Sequence, residues 1–151
     1  MDLPVTVLTA ACNAEDTISR AIESVMNQTY KDIEYIVLDG ASRDNTAAIA
    51  ESYIEKFNAQ EGRNMTVISE PDRGMYDALN KGAKMANGVI VGIVNADDFY
   101  EPKAVENMAA LYEREKYNVG WGTVRLLTGK GNIVKHAKLP KRRGAYTYGQ
   151  L

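Results

Sequence analysis

The sequence predicts an α/β domain on a mostly parallel, Rossmann-like sheet with helices on both faces, and three observations carry that expectation. Apolar or β-branched runs alternate with stretches of helical spacing from Val5 to Tyr112, the pattern of βα units whose crossover helices cover a parallel sheet. The strand-like runs end in polar punctuation, Asp39-Gly40 after the second and Asn95-Ala96-Asp97-Asp98 after the fourth. A chain of 151 residues, 45% hydrophobic and 25% charged, suits one soluble domain with a core of its own.

The elements follow in order. Val5-Thr6-Val7-Leu8-Thr9 is the first strand; Asn13, with Asp16 three residues on, is the expected N-cap of a helix burying Ile18, Ala21, Ile22, Val25 and Met26. Ile33 to Leu38 is the second strand. Ser42 or Asp44 caps a second helix with Ala50, Tyr53, Ile54 and Phe57 inward. Met65 to Ile68 is the third strand. Gly74 to Ala86 is a helix with Met75, Ala78, Leu79, Gly82 and Met85 inward. Val89 to Val94 is a continuous apolar run, read as a buried strand. A helix after Pro102 runs through Tyr112 with Val105, Met108, Ala109 and Tyr112 on one face. Gly122–Leu127 and Asn132–Lys135 flank Thr128-Gly129-Lys130-Gly131 as a C-terminal β-hairpin.

Charge divides the chain into an α/β region, 1–115, and a basic hairpin and tail, 116–151, within a single domain. The first carries all 20 acids and the second none, giving net charges of −10 and +8 beneath an overall −2. The basic segment suits phosphate or an anionic surface; packing on the acidic body, or continuation into further sequence, is the alternative. Basic and aromatic residues are not interleaved on a recognisable motif, which excludes nucleic acid as the expected partner. The single Cys12 excludes an intramolecular disulfide, and Met1-Asp2-Leu3-Pro4 lacks the basic start of a secretory leader, so the expected location is cytoplasmic.

In open α/β sheets, ligands bind beyond the carboxyl ends of the strands, which puts Asp39, Asp97 and Asp98 on one rim. Burying unpaired carboxylates is costly, so adjacent acids there call for a counter-charge, usually a hard divalent cation shared with phosphate. Helix capping by Asp98 is the competing explanation. Neither G-x-G-x-x-G after the first strand nor G-x-x-x-x-G-K-[ST] is present, so phosphate is held in another way.

Val5 to Ala11 with Asn13, Ser24-Val25-Met26-Asn27-Gln28-Thr29-Tyr30, Asp39-Gly40-Ala41-Ser42-Arg43-Asp44-Asn45-Thr46 and Asn95-Ala96-Asp97-Asp98 together resemble the family 2 glycosyltransferases. The run from Glu70-Pro71-Asp72-Arg73-Gly74 to Gly82 is similar to the bacterial subgroup that builds exopolysaccharide, capsule or O-antigen. The resemblance implies a GT-A fold and metal-dependent, inverting transfer from a nucleoside-diphosphate sugar, with UDP the expected nucleotide. It further implies a surface-glycan or lipid-linked acceptor and Mn²⁺ or Mg²⁺ as cofactor. With such an acceptor the +8 segment would suit peripheral contact with the inner membrane face, and a sheet edge or apolar surface left by a missing half would suit a homodimer.

By resemblance, Ala10, Asn13, Asp39, Arg73 and Asp97 would bind nucleotide, with Asp39 on the base and Asp97 on the ribose. Asp98 would coordinate the metal and Asp77 would meet the donor sugar. The competing assignments are a turn acid for Asp39, a solvated loop arginine for Arg73, an Arg73–Asp77 ion pair, and helix framing for Asn80 and Lys81. Three departures stand out. Cys12 replaces an aromatic able to stack on the base. Asn95 replaces the acid that often opens the metal motif. No Asp or Glu follows Glu115, where the family's general base is expected; His136 is the one histidine, and a surface role competes with a catalytic one. The catalytic base is therefore unknown. The chain reads as the N-terminal, donor-binding portion of a longer transferase or, alternatively, as a non-catalytic nucleotide-sugar-binding module.

Overall fold

The computed structural model describes residues 3–116, 119–120, 125–127 and 133–136. They fall into two compact units, Met1–Glu106 and Asn107–Leu151.

In the first unit the order is β1 (Val5–Ala11), α1 (Ile18–Met26), β2 (Ile33–Asp39), α2 (Thr46–Ser52), α3 (Ile54–Asn58), β3 (Arg63–Ser69), α4 (Met75–Met85) and β4 (Ile90–Ile93). All four strands run parallel in the spatial order β3-β2-β1-β4. Alternating side chains divide the core between the two faces of this sheet. On one face Val5, Val7, Ile33, Tyr35 and Val37 pack with Ile18, Ile22 and Val25 of α1, Ala50 of α2 and Phe57 of α3. On the other, Leu8, Ile36 and Leu38 receive Ala78 and Leu79 of α4. Full burial of side chains such as Ile22 and Phe57 contributes about 1.5–3 kcal/mol each. The expected helices on both faces are present.

Tyr35 shows how a polar group enters this core. Its hydroxyl shares a 2.8 Å hydrogen bond with Thr9 Oγ1, which donates in turn to the Val94 carbonyl at 2.9 Å. Burial pushes the phenol far above its ordinary range, so it stays neutral, and its ring tilts against Phe57 at 5.6 Å.

At the end of the sheet where β4 begins, Glu34 accepts from Thr6 Oγ1 at 2.6 Å, from the Asn87 backbone at 2.9 Å and from Asn87 Nδ2 at 2.7 Å. Burial alone would raise its carboxyl, but these donors outweigh it and hold it below the ordinary value. The chain passes so close to β1 at Gly88 that a Cβ there would lie 2.4 Å from the Thr6 nitrogen. Arg63 closes the far end of α1 by donating to the carbonyls of Val25 (3.2 Å), Gln28 (2.8 Å) and Tyr30 (2.5 Å).

Four expectations need correction. The run Val89–Val94 is covered on one face only: Val94 is buried and Ile90 half-buried against the core, while Val89, Val91 and Ile93 are 52%, 43% and 51% exposed. The strand lies at the edge of the described sheet, and α4 covers β1 and β2 instead. Asn13 does not cap α1, which starts at Ile18 after Thr17, because residues 13–15 are engaged with the loop after β2. The second helix is two short ones meeting at Tyr53; Asn45 precedes the first, and Asp44 accepts from the Thr46 N–H at 3.0 Å without being the cap residue. Met75 and Met85, expected inward, are 45% and 43% exposed at the ends of α4.

α5 spans Ala104–Glu115, with Val105 and Ala109 buried. In the second unit β5 (Arg125–Leu127) pairs antiparallel with β6 (Ile133–His136), with Arg125 opposite His136 and a register shift at Leu126/Leu127. The hairpin is present as expected; its connecting residues, the side chain of His136 and most of the basic tail lie outside the described residues.

Candidate functional site

The carboxyl ends of the strands form a rim. Asp39, the last residue of β2, stands beside Ala11 of β1 and Ser69 of β3. Backbone bonds from Gly40 N–H to the Ala11 carbonyl and from Glu70 N–H to the Asp39 carbonyl carry the pairing one residue further. Beyond β4, the Val94 N–H donates to the Leu8 carbonyl at 3.0 Å and brings Asn95-Ala96-Asp97-Asp98 to the same rim.

Asp39 is 2% exposed, and both of its carboxylate oxygens accept hydrogen bonds. Its Oδ2 accepts from the Ser42 N–H at 3.0 Å and from Ser69 Oγ at 2.6 Å, and its Oδ1 accepts from Ser42 Oγ. The bond to Ser42 is the turn arrangement weighed against a ligand role; the bond to Ser69 ties the turn to the neighbouring strand as well.

The loops after β1 and β2 bind each other. The Asn13 N–H donates to Ser42 Oγ at 2.8 Å, while Asn13 Oδ1 accepts from the Arg43 N–H at 2.9 Å. Ala14 N–H donates to Thr46 Oγ1 at 2.7 Å and Glu15 N–H to Asp44 Oδ2 at 3.1 Å. Asn13 and Ala41 take left-handed backbone angles, φ 50° and 55°. For alanine that conformation costs roughly 1–2 kcal/mol, offset here by the bonds around it. Cys12 is exposed beside them, and Ala10 is half-buried near the end of β1.

The β3–α4 connection adds a charged cluster. Glu70, Asp72 and Lys81 line a small cavity with Asp39. Asp72 Oδ2 would lie 2.7 Å from a Cβ at position 40, so Gly40 admits this carboxylate to the rim. Lys81 Nζ pairs with Glu70 at 3.0 Å, and that contact raises its pKa above the ordinary value.

Gly74, at φ 112°, opens α4 in a conformation that suits glycine. Asp77 accepts from the Arg73 backbone and from Arg73 Nη2, both at 3.1 Å, which lowers its pKa. The i,i+4 ion pair weighed for these residues is thus present.

Asp97 and Asp98 are exposed on a turn closed by the Asp98 N–H to the Asn95 carbonyl at 3.1 Å, and Asn95 Nδ2 donates to Asp98 Oδ2 at 3.0 Å. α5 starts only at Ala104, so Asp98 does not cap it. Among the described residues no group of three or more His, Cys, Asp or Glu could hold a metal alone. A carboxylate pair on an open rim fits the mode in which Mg²⁺ or Mn²⁺ takes one or two protein ligands and completes its shell from substrate phosphates and water.

The rim thus gathers Ala10, Asn13, Asp39, Arg73, Asp97 and Asp98, with Asp77 one turn into α4. Ser69, Asp72 and Arg20 join the rim without having been expected there. Ser69 ends β3 and Asp72 follows it as Asp97 and Asp98 follow β4, and for Asp72 that position was the available signal. Arg20 Nη2 donates to the Asp97 carbonyl at 2.7 Å, a contact between residues 77 positions apart that no local pattern reveals.

A family model described as "Glycosyl transferase family 2" matches residues 6–150. The chain is 34% identical over 109 residues to the putative glycosyltransferase EpsH of Bacillus subtilis, covering 72% of this chain and 30% of that protein. It is 32% identical over 112 residues to WfaP of Escherichia coli, a UDP-Glc:α-D-GlcNAc-diphosphoundecaprenol β-1,3-glucosyltransferase, covering 74% of this chain and 42% of the relative. The mannosyltransferase PcManGT of Pyrobaculum calidifontis, solved with GDP-Man and Mn²⁺, superposes with a TM-score of 0.62 at 28% identity over 72% of this chain and 31% of that one. The chain therefore spans less than half the length of each of these proteins.

Proposed function

The chain belongs to glycosyl transferase family 2, and on that premise we propose that it binds a nucleoside-diphosphate sugar at the strand rim and transfers the sugar, with inversion, to a bacterial surface-glycan acceptor. One observation carries the reading: the fold brings Asp39 and the Asp97–Asp98 turn, far apart in sequence, to one rim of the GT-A-type sheet.

UDP is the favoured nucleotide, supported by the donor in the name of the WfaP relative. Asp39 would read the base, the loop from Ala10 to Asn13 would flank it, and Asp97 would meet the ribose. Asp98 would hold Mn²⁺ or Mg²⁺ with the diphosphate, a use supported by the Mn²⁺ in the archaeal neighbour. When bound, the cation supplies Lewis-acid stabilisation to the negative charge that grows on the departing diphosphate. Arg73, 89% exposed in its side chain, can add positive charge near the donor, and Asp77 can meet the sugar by exchanging its bond to Arg73. In the displacement, the acceptor hydroxyl attacks the anomeric carbon as a base takes its proton. The carbon–oxygen bond to the diphosphate breaks on the opposite side, which inverts the configuration.

A lipid-linked acceptor would place the protein on the cytoplasmic face of the membrane, where the +8 segment suits anionic headgroups. Calorimetric titration of UDP with and without Mn²⁺ tests the donor site: Mn²⁺-enhanced binding, lost in Asp98→Ala, is expected. A chain that binds UDP in neither condition overturns it.

A second reading is a nucleotide-sugar binder without turnover, supported by the state of the acids between residues 101 and 115. Glu101, Glu106, Glu113 and Glu115 are all exposed, as expected for a solvated face. Slow hydrolysis of a UDP-sugar without acceptor would sink this reading; tight binding with no turnover under any acceptor would favour it.

A further inference from the structure

Resting on the donor-site reading above, we propose that Arg20 is a positioning residue that fixes the Asp97–Asp98 turn so that the Asp98 carboxylate is aimed at the cation it would share with the diphosphate. Arg20 and Ser24 lie one turn apart on α1, Gln28 follows just past its C-terminal end, and all three grip the chain that leaves β4. Arg20 Nη2 donates to the Asp97 carbonyl at 2.7 Å, and its guanidinium lies 5.1 Å over the ring of Phe99. Ser24 Oγ accepts from the Tyr100 N–H at 3.0 Å. Gln28, 5% exposed, donates to the Glu101 carbonyl at 2.8 Å and accepts from the Val105 N–H at 3.0 Å. The next residue, Thr29, donates its N–H to the Pro102 carbonyl at 2.9 Å.

Nearly every one of these bonds runs to backbone of the 97–105 segment. They set its path whatever its side chains, and they begin at the acid turn itself. Holding the Asp97 carbonyl orients the peptide between Asp97 and Asp98, and with it the directions in which the two side chains leave the backbone. The Phe99 contact fixes the far side of the same turn.

Arg20 differs from the other two. Ser24 and Gln28 hold residues beyond the turn, whereas Arg20 acts on the residues that bear the carboxylates. It is also exposed, so its loss leaves no cavity. A planar guanidinium can donate to the carbonyl and stack on the ring together, which a lysine ammonium does less well.

The test compares wild type, Arg20→Ala and Arg20→Lys by amide hydrogen exchange and by UDP titration with and without Mn²⁺. Arg20→Ala should speed exchange at the Asp98 N–H, which closes the turn on the Asn95 carbonyl, with β1 and β2 unchanged. It should weaken UDP binding in Mn²⁺ about tenfold and leave binding without Mn²⁺ as in wild type. Arg20→Lys should recover part of both losses. Unchanged exchange at the turn, or unchanged Mn²⁺-dependent binding, overturns the inference. Equal losses with and without Mn²⁺, or a lowered unfolding midpoint, would mark a general role in folding and overturn it too. Wild-type protein that binds no UDP in Mn²⁺ sinks the donor-site reading and the cation role together, and the exchange data still decide whether Arg20 fixes the turn.

Discussion

Ser69 Oγ donates to Asp39 Oδ2 at 2.6 Å across the paired ends of β3 and β2. The bond restrains a carboxylate that is 2% exposed, so the Asp39 side chain is aimed before any ligand arrives. Ser69→Ala removes a hydrogen bond to a charged group and is expected to cost about 1.5–3 kcal/mol of stability, measured by urea unfolding. Ser69→Thr keeps the hydroxyl and should lose less.

Asp39→Asn tests the base contact separately from the fold. The amide oxygen still accepts from the Ser42 N–H and from Ser69 Oγ, the amide nitrogen faces Ser42 Oγ as a donor, and no charge reaches the rim. Calorimetry should show UDP affinity down by about tenfold or more, the weight of a hydrogen bond to a charged acceptor. Retained wild-type affinity would remove Asp39 from the donor site.

Arg63 satisfies three carbonyls at the end of α1. Arg63→Ala leaves them to water and strips a cation from the face of Phe57, 5.8 Å away. The expected loss is about 2–3 kcal/mol, read as a shift in urea midpoint with an unchanged slope.

Gly88→Ala should be severe. A Cβ 2.4 Å from the Thr6 nitrogen must push β4 away from β1, at about 1–3 kcal/mol or more for overpacking against backbone. Thermal unfolding measures the loss, and an unchanged midpoint would contradict the close approach.

Glu34 makes stability depend on acid. Its folded pKa lies below the ordinary 4.5, so the unfolded chain binds its proton first as pH falls. The stabilisation is fully present above 4.5 and is lost as pH drops through the lower, folded value. Glu34→Gln should flatten that part of the stability profile, measured by urea unfolding at a series of acidic pH values.

The alternation of strands and helices was legible because each strand of the first unit ends in a polar turn and each long helix keeps one apolar stripe. The exposure of Val91 and Ile93 was not, because a continuous apolar run looks the same at the centre or the edge of a sheet. Strand order decides that, and strand order is a property of the whole chain. Asn13 carries the chemistry of a helix cap, but reciprocal bonds with the loop after β2 recruit it first. At the site, Asp39 and the Asp97–Asp98 pair could be placed on one rim from strand polarity alone. Their supports could not: Ser69 lies 30 positions from Asp39, and Arg20 lies 77 from Asp97.

The mutual bonding of the loops after β1 and β2 separates positions that must be kept from positions that can be varied. Asn13, Ser42, Asp44 and Thr46 contribute their side chains to the frame. Arg43 contributes only its backbone N–H, so its exposed side chain is free of the frame, whereas the exposed Cys12 thiol touches it through one weak bond accepted from Asn13 Nδ2 at 3.6 Å. A library seeking a new nucleotide preference would therefore randomise position 43 first and position 12 second, where one weak sulfur bond is given up, and change the surface presented to the base while the remaining bonds hold the scaffold beneath it.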